Sequence, residues 1–175
     1  VREHGLRTGL FTSPHLSTVR ERIQIDGEPI SQDDFIRLWQ DVAPLIHLVD
    51  ATSAEAGGPR LSFFEVLVVL AYAAFADAPV DVAVIEVGMG GVWDATNVAD
   101  GEVAVVSSVS LDHAQWLGDD LAGIAREKAG IIKPGSAAII GETEPELVQI
   151  FRDEGGATPR LGINFGRFSR NGAGR

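Results

Sequence analysis

The sequence contains no cysteine, which excludes disulfide bridges, thiolate metal sites and cysteine nucleophiles. Lysine and arginine total only 14 against 25 aspartate and glutamate residues, and the net charge of −11 argues against non-specific nucleic-acid binding. The longest apolar run, Val66–Ala76, is shorter than the roughly 20 residues of a membrane helix. No phosphate loop of the G-x-x-x-x-G-K-[ST] type occurs either. These absences favour a cytoplasmic protein that binds neither nucleic acid nor membrane.

The 175 residues present alternate between strand and helix patterns. An Asp26-Gly27 turn between Arg22–Ile25 and Glu28–Ile30 predicts a hairpin. The other predicted strands are Thr8–Phe11, Val82–Ile85, Val103–Val109 and Ala137–Ile140, and helices are predicted after Ser31 and over Phe63–Ala76, Asp120–Ala129 and Glu144–Asp153. This alternation predicts an α/β fold with a mostly parallel sheet and flanking helices.

Finer predictions concern burial and helix ends. Val82–Ile85 has the apolar composition of a strand buried on both faces. Ala51–Pro59 is small and polar and predicts a loop, while Gly130 is expected to close a helix as its C′ residue. The helix after Ser31 carries apolar residues at helical spacing that predict a core face: Phe35, Leu38, Trp39, Val42, Leu45, Ile46 and Val49.

Polar clusters follow three strands, and in a parallel sheet such strand ends share one edge. The clusters are Thr12-Ser13-His15, Glu86 with Asp94, and Asp112-His113. A carboxylate buried at the end of a central strand is costly without compensation, so Glu86 either caps a nearby helix or binds a cation such as Mg²⁺. His113 is either a structural residue or a metal ligand, Ser13 suits a plain turn, and Lys128 suits a helix end.

Several motifs in register resemble those of the folylpolyglutamate synthase/dihydrofolate synthase family, over roughly residues 2–142. They are TSPHL at 12–16 with ER at 21–22, SFFE at 62–65, EVGMGG at 86–91 with DATN at 94–97, LDH at 111–113 with LG at 117–118, and EKAGIIK at 127–133. The related Mur ligases share the ATPase core and the Asp-His element but lack the run from EVGMGG to DATN, so they rank second.

The resemblance implies a P-loop NTPase-like central domain of the Mur ligase kind and an ATP-dependent amide ligase. ATP phosphorylates a carboxylate of dihydropteroate or folate, and the amino group of L-glutamate attacks the acyl phosphate. Mg²⁺ spreads the charge of the transferring phosphoryl group. By motif, Ser13 and Glu86 would hold one magnesium ion and His113 another. Lys128 would be carbamylated, and Phe64, Glu65, Asp94 and Ala95 would line the pterin site.

Three departures from the family pattern stand out. The phosphate loop and the C-terminal ligase domain are missing, and Val92 stands where the family usually has arginine. Residues 1–168 are therefore expected to be a partial ATPase domain, with 169–175 as a tail. Family members are usually monomers, but this piece is expected to be inactive alone and to self-associate through an exposed apolar patch or an unpaired sheet edge beside Thr8–Phe11. The alternatives are a Mur-type ligase of peptidoglycan precursors and a non-catalytic remnant.

Overall fold

The computed structural model of the chain describes residues 2–110, 120–141 and 144–154. These residues form two compact units, with the boundary between Gly88 and Met89. Both units contain α-helices and β-strands, which confirms the predicted α/β class. None of the described helices combines the length and apolar character of a membrane-spanning segment.

The first unit is built around a four-stranded sheet of order β3-β2-β1-β4. Its strands are β1 (Thr8–Phe11), β2 (Ile23–Ile25), β3 (Glu28–Pro29) and β4 (Val82–Ile85). Two helices follow the hairpin, α1 (Gln32–Glu55) and α2 (Phe63–Asp77), and short 3-10 helices span Arg2–His4 and Val19–Arg22. Strand β1 pairs in parallel with β4 and antiparallel with β2, which pairs antiparallel with β3.

The predicted hairpin is confirmed at the Asp26-Gly27 turn. Asp26 has φ 53° and Gly27 has φ 86°, and a type I′ turn requires positive φ at both central residues. The Asp26 carboxylate also accepts a hydrogen bond from the Thr8 N–H at 2.8 Å, which ties the turn to the start of β1. This hairpin adds two antiparallel pairings to the sheet, so its predicted mostly parallel character is not confirmed.

Helix α1 buries a narrower stripe than its sequence predicted. Leu38, Val42 and Ile46 are buried, whereas the side chains of Trp39, Leu45 and Val49 are exposed, and Phe35 is half-buried. Helical spacing determines which residues share a face, but neighbouring elements determine how much of that face is covered. The prediction that all seven residues lie in the core is therefore wrong for Trp39, Leu45 and Val49.

Side-chain hydrogen bonds accompany the last turns of α1 and the first turn of α2. Helix α1 runs through Glu55, so the loop predicted from Ala51 begins too early; the Thr52 hydroxyl donates to the Leu48 carbonyl at 2.9 Å within the helix. Helix α2 starts as predicted after Ser62. The Ser62 hydroxyl accepts the Glu65 N–H, and the Glu65 carboxylate accepts the Ser62 N–H, which together form a capping box.

Two expectations about the first sheet are wrong. Ala83 and Val84 are exposed, so β4 is not buried on both faces. Strand β1 also lies between β2 and β4, so the unpaired edge expected beside Thr8–Phe11 is absent there, although the neighbouring Val84 of β4 is an exposed apolar side chain. Within the described residues the edge strands of this sheet are β3, which pairs only with β2, and β4, which pairs only with β1. An all-apolar strand has the sequence of a central strand whether or not it has a neighbour on both sides, so its sequence does not show that it lies at an edge.

The second unit contains a parallel pair, β5 (Val103–Val106) and β6 (Ala137–Ile140). Its helices are α3 (Leu121–Ala129) and α4 (Pro145–Glu154), and a 3-10 helix spans Ala95–Val98. The predicted strand Val103–Val109 thus ends at Val106. Apolar side chains from both strands, both helices and the segment after α3 form one core: Ala104, Val106, Ala125, Ala129, Ile132, Ala138, Ile140, Leu147 and Phe151.

The end of α3 differs from the prediction in one respect. Gly130 is the C-cap with φ −61°, an ordinary right-handed value, and so it is not a left-handed C′ residue. Its lack of a side chain has another cause, since a Cβ there would collide with the side chain of Val92. Asp120 caps the other end of the helix by accepting the N–H groups of Ala122 and Gly123.

Candidate functional site

Ser13 and Glu86 come together at the carboxyl ends of two parallel strands. Phe11 of β1 is paired with Ile85 of β4, so the residues that follow leave the sheet at the same end. The Ser13 N–H donates to Glu86 Oε2 at 2.7 Å, and the Glu86 N–H donates to the Phe11 carbonyl at 2.9 Å. The Glu86 side chain is exposed, so the expectation of a buried, costly carboxylate is wrong.

The loop after Ser13 is held by Glu21. Its carboxylate accepts hydrogen bonds from the N–H groups of Leu16, Ser17 and Thr18 at 2.9, 3.0 and 2.8 Å. These bonds, that of Leu16 first, hold the pKa of Glu21 below its usual range, because they stabilise the charged form. Glu21 therefore orders the segment that carries Ser13. The sequence offered it only as part of a motif, with no role.

A basic pair lies on the same loop. Arg22 Nε donates to His15 Nδ1 at 2.9 Å, and the Arg22 guanidinium lies 5.5 Å from the centroid of the Phe63 ring. The ring therefore contributes a cation–π contact. Because Phe63 is 62% exposed, this contact places a cation and an aromatic face together at the surface of the first unit.

Phe64 and Glu65, expected at a substrate site, lie at the start of α2. The Phe64 ring is half-buried, tilted against Phe11 with centroids 5.8 Å apart, and it lies over Gly88, where a side chain would collide with it. Glu65 is engaged in the capping box with Ser62. Its carboxylate thus already has a structural partner, while one part of the Phe64 ring remains accessible.

Asp94, also expected at the substrate site, organises its own segment. The residue is buried, with 7% of its surface exposed. Oδ2 accepts the Met89 N–H at 2.8 Å, and Oδ1 accepts both the N–H and the hydroxyl of Thr96, at 2.9 and 2.6 Å. Ala95 begins the 3-10 helix that Asp94 caps and is half-buried. Asp94 therefore determines the shape of this turn.

Lys128 lies in the last turn of α3, the helix end that favours a cation, and is half-buried. His113 falls outside the described residues. Among the residues that the structure does describe, no group of three or more His, Cys, Asp or Glu side chains is arranged to hold a metal ion. Of the expected magnesium ligands, the structure thus brings together Ser13 and Glu86.

The chain has relatives among known proteins. A dihydrofolate synthase/folylpolyglutamate synthase of Mycobacterium tuberculosis is 52% identical over 157 residues, covering 85% of this chain and 32% of that protein. This chain is a homologue of the folylpolyglutamate/dihydrofolate synthases. The Escherichia coli dihydrofolate synthase/folylpolyglutamate synthase is 34% identical over 163 residues, covering 92% of the chain and 36% of that protein. No protein-family model matches the chain.

Solved structures of folylpolyglutamate synthases agree with this homology. The Mycobacterium tuberculosis enzyme complexed with ADP and AMPPCP superposes with a TM-score of 0.82 at 50% identity, covering 87% of this chain and 35% of that one. Escherichia coli FolC in complex with DHPP and ADP superposes with a TM-score of 0.73 at 35% identity, covering 86% of this chain and 34% of that one. The chain thus spans about a third of the length of the relatives it matches.

Proposed function

We propose that this chain is part of an ATP-dependent ligase that joins L-glutamate to dihydropteroate or folate through an acyl phosphate. The observation that carries the proposal is the contact between Ser13 and Glu86 at the ends of two parallel strands, in a chain 52% identical to such a synthase. ADP and AMPPCP in one solved relative, and DHPP with ADP in another, support the substrate classes.

The magnesium part of the proposal is supported by donor chemistry. Ser13 and Glu86 present a hydroxyl and a carboxylate oxygen, which are ligands that Mg²⁺ prefers, and their contact keeps the two residues adjacent. His113 would hold a second ion, and a carbamylated Lys128 would supply a further oxygen ligand. Bound magnesium would spread the charge of the transferring phosphoryl group.

The chain's own residues would arrange the substrate. Glu21 holds the loop that carries Ser13, and Arg22 with His15 offers donors beside it. The accessible part of Phe64, with Glu65, Asp94 and Ala95, would line the pterin site. Because the Glu65 and Asp94 carboxylates are engaged locally, their role there would be to shape the site through the backbone they hold.

Residues 1–168 would belong to the ATPase-type domain of a cytoplasmic enzyme, with 169–175 as a tail. A phosphate loop and a C-terminal ligase domain would have to come from sequence outside this chain, as its coverage of about a third of the relatives allows. The chain alone would therefore show no turnover. Val92 in place of arginine would weaken anion binding at the glycine turn.

The decisive experiment measures glutamate-dependent phosphate release by the full-length protein with dihydropteroate, folate or a UDP-linked cell-wall precursor. Glu86→Gln is expected to lower kcat on the order of 100-fold, since it weakens the proposed binding of the magnesium ion that would neutralise charge on the transferring phosphoryl group. Glu28→Gln, an exposed carboxylate of β3, is the matched control and should retain the wild-type rate. Release with the UDP-linked precursor alone would indicate a Mur-type ligase, and no release with any substrate a non-catalytic protein.

A further inference from the structure

One residue of α3 satisfies three consecutive backbone N–H groups of the glycine turn. Glu127 Oε1 accepts the N–H of Gly91 at 3.2 Å and of Trp93 at 3.3 Å, and the Glu127 carbonyl accepts the N–H of Val92 at 3.1 Å. We call these three hydrogen bonds the Glu127 clamp. The side chain of Glu127 thus holds residues 91 and 93, and its main chain holds residue 92 between them.

The clamp depends on close approach of the two backbones. A Cβ at Gly91 would collide with the Glu127 carbonyl oxygen, and one at Gly130 would collide with Val92. Glycine at both positions therefore lets the turn lie directly on the end of α3. The close contact includes Lys128, whose Cα would be 3.2 Å from a Cβ at Gly91.

The clamped segment is itself rigidly bonded. Asp94 accepts from Met89 and Thr96, and the Asn97 side-chain amide donates to the Val92 carbonyl at 3.0 Å. Lys133 Nζ donates to the Asn97 carbonyl at 3.0 Å, a second connection to the stretch after α3. A displacement of the turn would thus be transmitted to the end of α3, where Lys128 follows Glu127 in the chain.

We propose that Glu127 is a positioning residue that sets the place of Lys128 relative to the Asp94 turn, through the acceptor geometry of its side chain and not through its charge. The proposal rests on the proposed function for the role of Lys128. Its physical content is independent of turnover: if the side-chain bonds of the clamp are lost, the amides of residues 91 and 93 lose protection and the environment of the Lys128 amine changes.

Three substitutions in the full-length protein separate geometry from charge. Glu127→Gln keeps an oxygen that can accept both amides and loses the charge, whereas Glu127→Asp keeps the charge and loses the reach; Glu127→Ala loses both. We expect the Asp and Ala variants to lower kcat for ligation about tenfold, with KM for ATP within twofold, and Gln to retain wild-type behaviour. Glu102→Ala, an exposed glutamate of the same unit, is the control.

Two further readouts do not require activity. Amide hydrogen exchange at residues 91 and 93, whose N–H groups bond to the Glu127 side chain, should accelerate about tenfold in the Asp and Ala variants and stay at the wild-type rate with Gln. The rate of Lys128 acetylation by acetic anhydride, followed by mass spectrometry in bicarbonate-free buffer so that the amine is not carbamylated, should change in the same two variants only. If the Ala variant does not fold, the contrast between Gln and Asp still decides.

The outcomes separate this proposal from the proposed function. A Gln variant as defective as Ala would overturn the proposal, because the charge would then be what matters. Unchanged exchange and acetylation in the Asp and Ala variants would also overturn it. If the wild-type protein ligates no substrate, the proposed function has failed, while exchange and acetylation still report whether Glu127 positions Lys128.

Discussion

At the residue scale, one glutamate in each unit accepts hydrogen bonds from consecutive backbone N–H groups of a loop. Glu21 accepts three consecutive N–H groups of the loop after Ser13, and Glu127 satisfies three consecutive N–H groups of the glycine turn. Each carboxylate fixes a segment that carries a predicted site residue or lies beside one. Loops have no ladder of backbone hydrogen bonds, so a carboxylate can supply the acceptors for consecutive N–H groups. The order of these loops therefore depends on single side chains.

The Glu21 bonds predict a pH response of the loop. Because they lower the pKa of Glu21 in the folded protein, the stabilisation is present above the ordinary glutamate value of about 4.3 and is lost as pH falls through the lower folded value. Backbone ¹⁵N–¹H shifts of Leu16 and Thr18 should titrate together with a midpoint below that ordinary value. In Glu21→Gln this titration should be absent; a wild-type midpoint at or above about 4.3 would contradict the assignment.

At the element scale, local sequence signals determine where most strands and helices lie, whereas tertiary contacts determine how far a helix extends and which of its residues are buried. Strands β1, β4 and β6 and the start of α2 lie where the sequence predicts, because apolar runs, turn residues and caps operate within a few positions. Helix α1 shows the other case. Its bounds and its exposed Leu45 and Val49 depend on which neighbours cover it, and that information is not local.

The cap of α2 can be tested by itself. Ser62→Ala removes the acceptor of the Glu65 N–H and should lower the free energy of unfolding by about 1 kcal/mol, measured by urea denaturation. Ser62→Asp should retain most of the stability, since aspartate also caps and favours the positive helix end. An Ala variant as stable as the wild type would mean that the capping box contributes nothing measurable.

At the scale of the whole molecule, the exposed apolar edge of β4 bears on association. Strand β4 carries no lysine, proline or charged residue to block further pairing, and Val84 is 48% exposed. The unpaired edge thus lies at β4 and not at β1, but the physical reason for self-association, an unpaired apolar strand, is the same. Its four residues are too few to define a partner, but they suffice to promote pairing between copies of the isolated chain.

Self-association of the chain is therefore expected to depend on β4. Light scattering should give a mass above that of the monomer that rises with concentration, and Val84→Lys should shift it toward the monomer because an edge lysine opposes strand pairing. Val98→Lys is the matched control, since Val98 is 77% exposed in a 3-10 helix and away from any strand edge. A wild-type chain that is a monodisperse monomer would contradict the prediction.

The sequence by itself determined the α/β class, most element positions, the Asp26-Gly27 hairpin and the motifs shared with folylpolyglutamate synthases. All of these are encoded by residues close together in the chain. Only the tertiary structure decided that Ser13 meets Glu86, that Glu86 is exposed, and that Glu127 holds the turn at Gly91. These pairs lie 73 and 36 positions apart, so no local pattern specifies them. Their contacts arise from strand pairing and helix packing, which place the partners only once the chain has folded.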